Sequence, residues 1–352
     1  MTPQRDQTDT LPMSLFDYEL PDDLIAQEPL EDRTASRLLV LDRSSGETVH
    51  SRFREIGAWL REGDLLVLND TRVIPARLMA RRETGGRVEF LLLEERSGDN
   101  WHAMARPAGR LAAGERLTLL DSQDDSTDRY VWIRERAPDG TLLVNLPDSS
   151  EVLQRLGRVP LPHYIKETLH DPDRYQTVYA TDPGSVAAPT AGMHFTEELL
   201  SELRACGVEI ATVTLHVGPG TFQPVKTDDA LKHTLHDERF SVSDKARRQI
   251  ASARVEGRRV IAVGTTSCRT LEAIADLLET VGPIEGRTSL YITPGYRFQV
   301  ISGLLTNFHL PRSTLLLLVS AFAGRESVLR AYGEAVARGY RFYSFGDAML
   351  IV

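Results

Sequence analysis

Between Leu78 and Leu146 the chain changes texture, and that change constrains its fold more than any other feature. Leu78–Arg82 and Val88–Glu94 flank Gly85-Gly86, and Tyr130–Arg136 and Thr141–Leu146 flank Pro138-Asp139-Gly140. Both spacings are hairpin signals. Trp101–Arg106 and the run after Gly114 read as two further strands, and no helical periodicity interrupts the series. Short strands at even spacing close most simply into a small antiparallel barrel. On either side, strands alternate with helices. The expected architecture is therefore a mixed α/β main domain, residues 15–77 and 150–352, with a β-barrel inserted at 78–149. A chain of 352 residues is long for one core. Residues 1–14 are polar and mixed and read as a disordered leader.

The formal charge is −9, from 41 Lys and Arg against 50 Asp and Glu. That balance argues against indiscriminate coating of nucleic acid but allows a local basic face. One exists in sequence: Arg72, Arg77, Arg81, Arg82 and Arg87, then Arg106, Arg110 and Arg116, while acids gather at Asp121–Asp128, read as a solvated loop. Trp101 and His102 could stack on an extruded base. Cys206 and Cys268 are far apart, which suits a reduced, cytoplasmic setting. The apolar run Leu315–Val319 is too short to span a bilayer. His233, His236 and Glu238 lack a further ligand cluster, so no metal is expected.

In open α/β sheets ligands bind beyond the carboxyl ends of strands. Asn69, Asp70, Thr71 and Arg72 follow one apolar run; His216, Gly218 and Gly220 follow a second. Gly264, Thr265, Thr266, Ser267 and Arg269 follow a third, ahead of a helix read from Thr270. Strand, glycine, hydroxyls, helix is the order of an anion or carboxylate cradle. It lacks the lysine ending of a P-loop, and Phe222 stands where a dinucleotide fingerprint needs glycine. Gly184 to Phe195 is built from small residues around Thr190 and His194, on a stiff loop before a helix capped by Thr196. A tight connection with a satisfied His194 explains that loop as well as a catalytic role does.

Phe16–Pro21, Asn69–Arg77, Gly184–Thr196, His216–Phe222, Val263–Ser267 and Thr306–Gly324 together resemble the S-adenosylmethionine:tRNA ribosyltransferase-isomerase family of the bacterial queuosine pathway. The resemblance runs from about Leu15 to Val352. It implies transfer of the ribosyl group of S-adenosylmethionine to 7-aminomethyl-7-deazaguanine at the tRNA wobble position. The amine and the ribose carbon beside the sulfonium lose protons, adenine leaves, the amine attacks, and an epoxide closes as methionine departs, giving epoxyqueuosine.

For that chemistry, position and side-chain type suggest catalytic roles for His194, His216, Asp70 and Thr190. Gly264, Thr265, Thr266, Ser267, Arg269, Gly218 and Gly220 would hold S-adenosylmethionine, and Arg72, Arg77, Arg81, Arg82, Arg106 and Arg312 the tRNA. A monomer, without metal or membrane, is expected. Two alternatives remain: an S-adenosylmethionine-dependent RNA methyltransferase, and a non-catalytic RNA-binding protein.

Overall fold

The computed structural model describes residues 10–109, 111–167, 169, 171–218 and 227–352. In chain order the strands begin with β1 (Arg37–Leu41), β2 (Thr48–Arg52), β3 (Leu65–Asn69) and β4 (Thr71–Val73). Next come β5 (Arg77–Arg82), β6 (Arg87–Glu95), β7 (Asn100–Arg106), β8 (Arg116–Leu120), β9 (Ser126–Arg136), β10 (Leu142–Asn145) and β11 (Asp182–Ser185). The later strands are β12 (Glu209–Leu215), β13 (Glu238–Val242), β14 (Val260–Val263), β15 (Ile284–Thr288), β16 (Gly303–Asn307) and β17 (Ala348–Ile351). The helices are α1 (Ser149–Leu156), α2 (Glu197–Ala205), α3 (Asp244–Val255), α4 (Gly264–Ala273), α5 (Thr314–Ala323) and α6 (Arg325–Ala337).

The chain divides into two compact units. The main unit takes the residues up to Asp70, His163–Thr181 and Pro189–Val352; the other takes Thr71–Pro162 and Asp182–Ala188.

The main unit is built on a nine-stranded sheet in the order β15-β13-β12-β3-β14-β16-β17-β1-β2. Its centre, β12-β3-β14-β16, is parallel throughout. These strands read as near-continuous apolar runs because both their faces are covered. Leu66, Leu68, Ile261, Val263 and Leu305 pack on Phe53, Ile56, Phe195, Leu199, Leu200 and Leu203. Full burial of each such side chain contributes about 1.5–3 kcal/mol. Because the four strands run the same way, their carboxyl ends emerge along one edge; β17 runs against β16 and alongside β1, so Ser36, just ahead of β1, lies at the Asn307 end of the sheet.

Helix starts follow their caps. Thr196 accepts from the Leu199 amide at 3.2 Å, Ser243 from Ala246 at 3.2 Å and Ser313 from Leu316 at 3.2 Å. The exception is α4. It begins at Gly264, six positions before the expected Thr270, with φ +87° at Gly264 and no capping side chain. Thr265, Thr266 and Ser267 therefore form its first turn and not a preceding loop. The expected leader is also shortened. Leu11 donates its amide to Asp229 at 3.0 Å, and Met13 is fully buried; residues 1–9 lie outside the described residues.

The second unit is a closed barrel, β10-β7-β6-β5-β8-β9. Leu78, Ala80, Val88, Phe90, Leu92, Leu117, Leu119, Val131, Ile133, Leu142 and Val144 alternate inward to fill it. This unit is wider than the strand texture at 78–149. Val152 and Leu153 of α1 join its core, and β4 pairs with β11. Both cysteines are free. Among the described residues no helix is long and apolar enough to cross a membrane.

Candidate active site

His194 is 6% exposed and stacks on Phe53, ring centres 4.9 Å apart. Both its ring nitrogens are engaged. Asn307 at the end of β16 offers its Nδ2 to Nε2 at 3.2 Å, and an amide nitrogen can only donate. Nε2 is thus the acceptor, and Nδ1 carries the proton toward Ser36 Oγ at 2.7 Å. Ser36 in turn donates to the Arg33 carbonyl at 3.1 Å, and Thr190 Oγ1 donates to Asn307 Oδ1 at 2.9 Å. The chain Thr190–Asn307–His194–Ser36–Arg33 consequently has one direction. Burial first, and then the nearby Arg33 and Arg341 cations, pull the His194 pKa down to about 3. The ring is neutral at any ordinary pH. A cavity of about 30 Å³, room for roughly one water, borders His194, Ser36, Arg33 and Arg174.

Asp70 follows β3, and its Oδ1 accepts from Thr214 Oγ1 of β12 at 2.7 Å. The neighbouring Asn69 clamps β12 from both sides of Leu215, donating to its carbonyl and accepting from its amide at 3.0 Å each. The Asp70 charge and, more strongly, burial push the Tyr179 hydroxyl up from its ordinary value. Tyr179 lies directly over Gly192, where any Cβ would fall on its hydroxyl; this is why the loop is glycine there.

At α4, Thr266 Oγ1 and Ser267 Oγ are buried and have no hydrogen-bond partner. Thr266 Oγ1 lies 3.5 Å from where a Cβ on Gly264 would stand, and Ala191 is 3.7 Å from the same point. An uncapped helix start with an unused buried hydroxyl beside the Thr190–His194 loop suits a carboxylate. Arg269, expected to supply that charge contact, is engaged by a carboxylate of the chain itself. Its Nη1 is paired with Glu238, each side chain 5% exposed. Glu238 also accepts from the Gly218 amide at 2.9 Å. The ion pair ties α4 to β13, and a buried pair holds its partners together because an orphaned charge is costly. His216 is half-buried just past β12, its amide donating to Arg239. Gly220 lies outside the described residues. Among those described, no group of three His, Cys, Asp or Glu gathers as a metal site.

A family profile described as "Queuosine biosynthesis protein" matches residues 13–351. The chain belongs to that family. It is 53% identical over 341 residues to an S-adenosylmethionine:tRNA ribosyltransferase-isomerase of Carboxydothermus hydrogenoformans, covering 96% of this chain and 98% of the relative. It is 51% identical over 345 residues to the protein of that name from Caldanaerobacter subterraneus, covering 96% and 99%. A crystal structure of an S-adenosylmethionine tRNA ribosyltransferase from Thermotoga maritima is 40% identical, with a TM-score of 0.56, covering 96% of this chain and all of the other. As a member of the queuosine family the chain is an enzyme, a transferase-isomerase.

In this queuosine-family chain the arginines look different from their sequence pattern. Arg82 makes a two-point pair with Glu115, at 2.5 and 3.1 Å. Arg81 donates to the Asp124 carbonyl at 3.0 Å, and Arg87 reaches the Asp124 carboxylate at 3.0 Å. Most of the acidic 121–128 segment is exposed, as expected of a solvated loop, but Asp124 folds back on the basic face and partly neutralises it. Arg77 lies 3.6 Å from Glu89, and Arg312 lies 3.9 Å from Asp17 and 3.6 Å from Asp228. Arg72 and Arg106 are exposed; Arg110 lies outside the described residues. Trp101 is 6% exposed and fills the barrel, so it is not an outward stacking surface. Sequence reasoning missed Ser36, Tyr179 and Asn307 as site residues. Asn307 had a signal, a polar side chain at the end of an apolar strand; Ser36 and Tyr179 had none.

Proposed function

We propose that this enzyme transfers and isomerises the ribosyl group of S-adenosylmethionine onto 7-aminomethyl-7-deazaguanine in the tRNA anticodon, giving epoxyqueuosine-tRNA, adenine and methionine. The observation that carries the reading is the convergence, at the carboxyl ends of β12, β3, β14 and β16, of an ionisable carboxylate, an oriented hydroxyl and an uncapped helix start. In the substrate the sulfonium acidifies the neighbouring ribose carbon and makes adenine and methionine leaving groups.

The α4 start, with Gly264, Thr265 and Thr266, is suited to the methionine carboxylate: amides point outward and Thr266 Oγ1 has a hydrogen bond to give. Asp70 and His216 are the groups whose chemistry suits proton transfer, and the Asp70 carboxylate also suits an N–H of adenine. His194 positions. A base must offer a lone pair, and that of Nε2 accepts from Asn307 within an apolar stack. Its work is to fix Asn307, which fixes the Thr190 hydroxyl. Ser267 lies on the same turn.

The test is a single turnover with tRNA bearing 7-aminomethyl-7-deazaguanine and S-adenosylmethionine. Adenine and methionine should appear one for one with the modified nucleoside. A methylated nucleoside with S-adenosylhomocysteine and no adenine would overturn the reading in favour of a methyltransferase; binding without turnover would leave an RNA-binding protein.

A further inference from the structure

We propose that the outer wall of β8 and β9 is a stacking platform for single-stranded RNA. Its use on the anticodon loop rests on the function proposed above. Along β9, Val131 and Ile133 are fully buried inside the barrel while Tyr130 and Trp132, one position off each, stand outside at 37% and 36% exposure. On β8, Arg116 is directly opposite Trp132 and Thr118 opposite Tyr130, so all four share the outer face. The Arg116 guanidinium carbon lies 4.5 Å from the Tyr130 ring centre and 5.8 Å from that of Trp132. On the far side Arg134 donates to Asn145 Oδ1 at 2.9 Å, and Asn145 is the β10 residue opposite Trp132.

The patch is thus two aromatic planes and a guanidinium plane, with a second arginine at its border. Its acidic neighbours are Glu83, which lies 3.4 Å from Arg116 with a side chain 77% exposed, and the exposed Asp128 on β9. A pair so open to water is worth little, so a phosphate can displace Glu83. Bases present flat faces that stack on aromatic rings and on guanidinium planes, and their phosphates favour the bordering arginines. Of the four outer-face residues only Thr118 offers an aliphatic group, a single methyl, so an aliphatic protein partner would find little to pack against. Where the ion-paired arginines near Asp124 offer only charge, this face offers planes as well, and bases splayed from a loop are the ligand that uses both.

Trp132 reports on itself. Trp101 is buried and Trp59 lies on the other unit, so fluorescence lost in Trp132→Phe is the signal of this face. An anticodon stem–loop RNA should quench it saturably, and a blunt RNA duplex of the same length should not. Tyr130→Ala/Trp132→Ala should bind the stem–loop roughly tenfold or more weakly, with an unchanged Tm. Its KM for tRNA should rise by a similar factor, while KM for S-adenosylmethionine and kcat stay within twofold. Equal quenching by the duplex would mean phosphate contact without stacking and would overturn the proposal. So would stem–loop affinity within twofold in the double variant. If the wild type makes no adenine, the proposed function falls, and the quenching result still decides the platform.

Discussion

His194 in the main unit and Arg116 on the barrel wall each meet an aromatic ring and a polar partner, yet their surroundings are opposite. His194 is 6% exposed, stacked on Phe53 and bonded through both ring nitrogens; the Arg116 side chain is 42% exposed and its acid partner 77%. In the first region each hydrogen bond determines the next, because a buried donor or acceptor with no partner costs about 1–3 kcal/mol. In the second, water can replace any partner, and an exposed ion pair is worth about 0–1 kcal/mol. One arrangement fixes atoms; the other leaves surfaces available. Chemistry that needs a hydroxyl aimed within tenths of an ångström belongs in the first. Capture of a flexible polymer belongs in the second.

The sharpest way to break that contrast is at its reactive end. Asp70→Asn keeps an oxygen to accept from Thr214 but removes the charge. Turnover should fall about 10²–10⁴-fold, the range for a lost acid–base group, with Tm within a degree or two. Adenine release measured in a single turnover within tenfold of wild type would remove Asp70 from the chemistry. Next comes Asn307→Ala, which orphans His194 Nε2 and Thr190 Oγ1 together. Stability should fall by about 2–4 kcal/mol by urea unfolding, counting the buried His194 nitrogen and the half-buried Thr190 hydroxyl. Turnover should fall with it, even at a temperature where the variant is folded. A loss under 1 kcal/mol would show that the chain of bonds is not cooperative.

Acid probes the same cluster without a mutation. His194 is buried and His309, outside that chain of bonds, is half-buried; loss of solvation lowers both pKa values to about 3 and leaves both rings neutral. Between that value and 6.5 the unfolded chain binds protons that the folded one refuses, so stability rises with pH across this window and is lost as pH falls. From pH 6.5 to pH 5 each histidine should account for about 2 kcal/mol. The check is the Tm profile of His194→Gln and His309→Gln, each of which should flatten it relative to wild type. A parallel profile would mean that the rings are protonated in the fold.

What was legible in the sequence follows the same divide. The six-strand barrel and the polar groups after each parallel strand are local patterns, and the structure has both. The α4 start was misplaced because three consecutive hydroxyls read as loop; only tertiary burial keeps Thr265–Ser267 helical. The His194–Ser36 bond spans 158 positions and Asn307–His194 spans 113, distances over which no periodicity carries information. Trp101 was read as outward because alternation gives two faces of a strand without saying which is inside. The tryptophan on the outer face is Trp132, two strands along. The arginine run read as a free basic face because its partners, Glu115 and Asp124, arrive from another hairpin.

That last misreading supplies the smallest predicted effect. Arg82 and Glu115 are about one-fifth exposed and joined at two points, a better geometry than most surface pairs. Arg82→Ala should nevertheless cost only about 0.5–1 kcal/mol, since water reaches both groups once the pair is gone. Its effect on RNA should be smaller still. A guanidinium already held by a carboxylate must give up that partner before it can neutralise a phosphate, so it releases no net counterion on binding. The slope of log affinity against log salt for the anticodon stem–loop should therefore stay within about 0.2 of wild type, where loss of a true single-strand phosphate contact removes about 0.7. A slope lowered by that full amount would show Glu115 to be a displaceable guard and return the arginine run to the RNA interface. A stability loss as large as that of Asn307→Ala would erase the distinction between the oriented cluster and the screened wall.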